Sequence, residues 1–175
     1  FIFSCVMMSS SGSFGSSGGS KSFPRDIKTQ SGLTNLYNKR VVSSQAVERP
    51  LAGPMRGQFG RAGIGAANAF GISTSYSGRP DRATHSGSLV TTSDGSRYLV
   101  HKGDDFGKST NTVVVDAKHM SNNWTPVGQS HDVGGRASVS DYVKAGGKDY
   151  SLHNNCHDAT RNMQNLGKQG GCGVQ

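Results

Sequence analysis

Two runs rich in β-branched and aromatic residues, Leu89-Val90-Thr91 and Tyr98-Leu99-Val100, flank Asp94-Gly95, and no other feature constrains the fold of this chain as strongly. Asp-Gly between such runs is a hairpin signal, because the tight primed turn needs a residue that tolerates positive φ. The spacing predicts an antiparallel hairpin that opens near Thr84 and ends near His101. Antiparallel pairing lays the start of one strand beside the end of the other, so His85 and His101 are expected to meet at its open end.

Other elements follow from the same kind of pattern. Thr112-Val113-Val114-Val115-Asp116 reads as a strand through its consecutive β-branched residues, and Lys148 to Leu152 reads as another. Behind it, Asn154 and Asn155 are good N-cap residues for a helix with Cys156 in its first turn, and Gly167 suits a left-handed closing position. A weak amphipathic patch from Asp26 to Val42 reads as a helix, and Phe70 to Tyr76 as an edge strand. Gly60-Arg61-Ala62-Gly63-Ile64-Gly65-Ala66-Ala67 has glycines spaced like a dinucleotide loop, but no strand precedes it and no acidic residue follows at the required distance. It is read as a connection. The expected architecture is α+β: an antiparallel sheet packed against a helix that bears the cysteine at its N-terminus.

Unpaired N–H groups and the positive dipole end at a helix start favour a thiolate, so Cys156 is expected to ionise below the ordinary value of about 8.5. Alone, such a cysteine would read as a small buried hydrophobe. With two histidines expected nearby, the set supplies a nucleophile, a base and a group that orients the base. That chemistry needs the sulfur within about 4 Å of a His85 ring nitrogen, with His101 on the other side of His85. The Cys156 backbone N–H is the natural oxyanion donor, and Asn155 reads as the cap whose amide holds the thiol loop.

The order histidine, hairpin, second histidine, then a distant Asn-Cys at a helix start resembles the lecithin:retinol acyltransferase-like thiol enzymes, the circularly permuted branch of the papain-like NlpC peptidase superfamily. The resemblance runs from Thr84 to Gly167 and includes a short helix after Ser138 leading into Tyr150-Ser151-Leu152. It implies a permuted papain-like fold, with His85 as the base, His101 orienting or polarising it, and Cys156 as the nucleophile. Residues after the cysteine, His157-Asp158-Ala159, depart from the family's usual acidic residue, histidine and bulky apolar residue.

Composition bounds the rest. At 175 residues with 33% apolar positions and 25 glycines, the chain is expected to hold one domain with a modest core. Residues 1 to 20 read as an apolar start and a Ser/Gly-rich flexible tract, and residues 21 to 175 as the domain. Phe1 to Met8 reads equally as the remnant of a signal peptide or as a buried strand, and is too short to span a bilayer. The chain is therefore expected to be soluble and, with the sequon at Asn123-Trp124-Thr125, secreted. Cys5 and Cys172 are left to bridge the two ends once Cys156 is reserved for chemistry. No Cys/His pattern of zinc spacing occurs, so neither a metal nor another cofactor is expected. The net charge of +8 is dispersed, which disfavours a dedicated nucleic-acid site while still drawing in an anionic substrate or surface.

These readings predict a cysteine-dependent hydrolase or acyltransferase acting on an ester or amide through an acyl-enzyme. Two other classes fit the composition. One is a secreted structural, filament or mineral-associated protein, capable of self-assembly, that keeps the fold without turnover. The other is a secreted toxin or defence effector.

Overall fold

The computed structural model describes residues 26–51, 69, 74–79, 83–103, 111–151 and 154–168. The apolar start, the Ser/Gly tract, Cys5, Cys172 and the glycine-rich connection at 60–67 lie outside the described residues.

Helix α1 (Gln30–Asn38) is capped by Thr29, whose hydroxyl accepts from the Gly32 N–H at 3.1 Å. The helix expected to reach Val42 stops earlier, because Val41, Val42 and the serines after them favour an extended chain. From Arg40 the backbone runs as strand β1 (Arg40–Pro50). The expected hairpin follows as β2 (Thr84–Thr92) and β3 (Arg97–Lys102), with Gly95 at φ 80° in the turn. Strand β4 (Thr112–Asp116) is the expected β-branched run, and a single 3₁₀ turn at Ala117–His119 follows it.

The last strand, β5 (Thr125–Ser138), was not expected, since it contains Pro126 and several glycines. Its place explains them. The sheet is antiparallel in the order β4-β3-β2-β1-β5, and an edge strand tolerates proline and the kinks that glycine allows. Gly128, Gly134 and Gly135 all have positive φ, and the β1–β5 register shifts twice.

Lys148 to Leu152 is not a sheet strand. Lys148 accepts from the Asn111 N–H at 2.8 Å through its backbone, Ser151 makes an isolated bridge with Asn154, and Leu152 lies outside the described residues. A bridge only three residues apart turns the chain back at once into the next helix. The expected Phe70 to Tyr76 strand fares similarly: Phe70–Ile72 and Ser73 are not described, and 74–76 form a bend and turn. Glu48 anchors that turn through Ser77 Oγ at 2.7 Å and Ser77 N–H at 3.3 Å.

Helix α2 (Val139–Gly146) begins with a reciprocal cap between Ser138 and Asp141. Helix α3 (Cys156–Lys168) carries the cysteine as its first residue and packs against α2, β2 and β5. The core between α2, α3 and the sheet is built around Val90, Val100, Val114, Val133, Tyr142 and Met163. Each large apolar side chain enclosed here contributes about 1.5–3 kcal/mol.

Gly167 does not close α3 in a left-handed conformation; it lies inside the helix. Its role is close approach: a Cβ there would fall 2.2 Å from His131 Nε2 and 3.0 Å from Val133 Cγ2. No helix among the described residues is long and apolar enough to cross a membrane.

Candidate functional site

The two hairpin histidines meet as strand pairing requires. Gly87 is opposite His101 in the β2–β3 register, and His85 lies two residues before it on the same face of β2. A Cβ at residue 87 would stand 2.8 Å from His101 Cβ, so the absence of a side chain lets the imidazole cross towards His85. His101 Nδ1 lies 3.0 Å from His85 Nε2, with the rings nearly perpendicular at 87°. Thr84 fixes the start of β2 by donating to Glu48 at 3.2 Å.

Trp124 covers this pair from the turn before β5. Its ring centroid is 5.6 Å from that of His85 and 6.2 Å from that of His101. Arg49, opposite His85 in the β1–β2 register, lays its guanidinium over the indole at 5.4 Å. Asn123, the sequon asparagine, is exposed in the same turn.

The thiol arrives from the other side of the sheet. Asn155 caps α3 as expected: its Oδ1 accepts from the His157 N–H at 2.8 Å and the Asp158 N–H at 3.4 Å, while Asp158 accepts from the Asn155 N–H at 3.1 Å. Lys102, fully buried at the end of β3, donates to Asn154 Oδ1 at 2.9 Å and ties the hairpin to the residues before the cap. Ser86, beside His85 but on the opposite face, seats the first turn. Its Oγ is 3.2 Å from the Cys156 carbonyl oxygen, 2.9 Å from His157 Nδ1 and 3.0 Å from Thr160 Oγ1. With one proton to give, the hydroxyl donates to one of these at a time.

The thiol is buried, at 4% exposure, and the Tyr150 hydroxyl donates to its sulfur at 3.8 Å. His85 Nε2 is committed to His101, leaving Nδ1 outside that bond.

Burial sets the charge state. It pushes the Cys156 thiol pKa up, against hydrogen bonding from the Ser86 backbone, the Tyr150 hydroxyl, its own backbone and the Ser86 hydroxyl. The expectation of a lowered thiol pKa is therefore corrected: desolvation outweighs the helix start in the closed site. The same burial lowers His85 well below the ordinary imidazole value, helped by the charges of His101, Arg49 and His157. His101 is lowered to about 4 by burial and then by Arg49. The resting site thus holds a neutral thiol and neutral imidazoles, an arrangement suited to proton transfer during attack and not to a standing ion pair.

The sequence brought out Cys156, His85, His101 and Asn155; the structure joins His85 to His101 at the open end of the hairpin and sets Cys156, capped by Asn155, against Ser86, while among the described residues no hydrogen bond joins its sulfur to His85 and the Tyr150 hydroxyl meets it instead. It adds Arg49, Trp124, Tyr150, Ser86 and His157. Trp124 is the chain's single tryptophan, next to the sequon, and that alone could have marked it. Arg49 becomes visible only through a register that pairs it with His85. His157, assigned to no role from sequence, is 2% exposed and bonded to Ser86. Among the described residues, no group of His, Cys, Asp and Glu side chains is arranged to hold a metal ion. Comparison with known proteins adds nothing to this geometry: no family model, no curated protein and no solved structure matches the chain.

Proposed function

We propose that the protein is a thiol hydrolase or acyltransferase in which Cys156 is the nucleophile, His85 the base and His101 the group that orients it. The observation that carries this reading is the 3.0 Å imidazole pair set at the hairpin end where a capped, buried cysteine begins its helix. A buried neutral imidazole hydrogen-bonded to a second imidazole has little structural use, because burying both costs polar solvation that an apolar pair would not.

His85 takes the Cys156 proton as the sulfur adds to the carbonyl carbon of an ester or amide, and the carbonyl electron pair moves to oxygen. The Cys156 backbone N–H supports that oxyanion. Collapse breaks the bond to the leaving group, which takes the proton from His85 and departs, leaving a thioester. Water or an amine, giving its proton to His85, then releases the acyl group and restores the thiol. The same order of parts supports placing the chain with the lecithin:retinol acyltransferase-like enzymes and a permuted papain-like arrangement, and the exposed sequon at Asn123 supports action outside the cell.

The test is Cys156→Ser, which preserves size and capping while replacing the thiol by a hydroxyl that does not ionise near neutral pH. Hydrolysis of a panel of activated esters and small amides is expected to vanish while thermal unfolding stays close to wild type. If the wild-type protein hydrolyses none of the panel and both forms self-assemble, the structural class gains and the enzyme reading falls.

A further inference from the structure

We infer that Arg49 and Trp124 form an anion-recognition subsite beside the His85–His101 pair, selecting substrates with a carboxylate or phosphate group next to the scissile carbonyl. The inference rests on the thiol-enzyme reading and gives it a substrate class.

Three observations converge on it. First, the β1–β2 register places Arg49 opposite His85, on the face where both imidazoles and Trp124 gather. Second, the guanidinium lies over the indole, its carbon 5.4 Å from the ring centroid, and is half-buried. A cation–π contact uses the charge of a guanidinium and none of its acceptor-seeking N–H groups as donors to oxygen, so a forked contact with a carboxylate or phosphate stays open to it. Third, among the described residues no carboxylate approaches Arg49, whereas Lys39, Lys118, Lys144 and Arg161 each have an acidic partner within 4.0 Å. A partly desolvated cation without a counter-ion is costly, and here its field reaches the thiol and both histidines. A substrate anion would supply the missing charge while the indole holds the guanidinium in place.

Two alkylating agents of nearly equal size separate charge from reactivity. Iodoacetate is anionic, iodoacetamide neutral, and each loses iodide to the Cys156 sulfur. The ratio of their rates, divided by the same ratio for a free cysteine peptide, is expected to be about tenfold in the wild-type protein, as one charge-assisted hydrogen bond would give. It should fall to the peptide value in Arg49→Gln and persist in large part in Arg49→Lys, which keeps the charge. Thermal unfolding of both variants checks that they fold.

Succinate and phenyl phosphate should each slow iodoacetamide labelling of wild type and not of Arg49→Gln; the better protector identifies the carboxylate or the phosphate. A wild-type ratio equal to that of the peptide overturns the inference. So does a ratio that Arg49→Gln leaves unchanged, or an equal fall in both rates, which would assign Arg49 to the thiolate alone. Because labelling needs no turnover, a protein that hydrolyses nothing yet keeps the iodoacetate preference sinks the enzyme reading and leaves the anion subsite standing.

Discussion

Neighbouring residues of β2 face two different chemistries. On one face His85 meets His101, Trp124 and Arg49, with a single hydrogen bond between the imidazoles and burial pushing both away from their charged forms. On the other, Ser86 and Ser88 meet α3 in a dense hydroxyl and amide network. There Gln164 Nε2 donates to Ser44 at 2.9 Å and to Ser88 at 2.8 Å. The contrast separates two uses of buried polarity. Satisfied groups hold a helix in register, whereas desolvated titratable groups are kept in a state that a reaction can exploit.

The largest effect should come from breaking the first face. His85→Ala removes the proposed base and is expected to lower turnover by about 10²–10⁴-fold, a loss far larger than the about 1–3 kcal/mol of stability that unpairing His101 would cost. Ser86→Ala, one residue along, should instead act mainly on stability. Equal losses of turnover in the two variants would dissolve the distinction between the faces.

The next effect tests the second face. Gln164→Ala leaves two buried serines without their donor and opens space under α3, for an expected loss of about 2–3 kcal/mol in chemical denaturation. Its alkylation profile against pH should match wild type. A change in that profile would mean the network also tunes the thiol.

Acid unfolding measures the first face from the stability side. His85, His101, His131 and His157 are all lowered by burial, so the unfolded chain binds more protons than the native one below the ordinary imidazole value of about 6.5. Stability is expected to fall as the pH drops from there towards about 4, the value of His101. Its share of the loss should be about 3 kcal/mol. The decline should begin above the carboxylate range, where Asp94, lowered by its hydrogen bonds to Lys39, Thr92 and Ser96, starts to contribute. His101→Asn should flatten the upper part of that curve; an unchanged slope would count against a buried neutral imidazole.

The smallest effect lies where α3 meets β5. Gly167→Ala gains helix propensity of about 1 kcal/mol but drives a methyl against His131 and Val133, an overpacking cost of about 1–3 kcal/mol. A net loss of about 1 kcal/mol is expected. Net stabilisation would show that β5, an edge strand, yields easily.

What the sequence revealed was governed by locality. The hairpin was legible because turn chemistry and strand composition agree within a short window, and the Asn155 cap because the cap and its partners are adjacent. β5 was hidden because edge strands relax the composition that marks central ones. The extent of α1 was misjudged because a weak helical pattern runs into residues that pairing with β2 and β5 claims for the sheet. Arg49 and the sign of the Cys156 shift were beyond reach for another reason. Both depend on burial and on strands distant in sequence, and burial reverses what the helix start alone implies.

The serine-rich seam beneath α3 also has a calorimetric consequence. Ser44, Ser86, Ser88, Thr160 and Gln164 occupy interior positions that aliphatic side chains fill in most domains. Exposing polar surface lowers the heat capacity of unfolding where exposing apolar surface raises it. Heat capacity change sets the curvature of stability against temperature, so this domain should trace a flatter dome than its size implies, with stability varying less between cold and warm conditions.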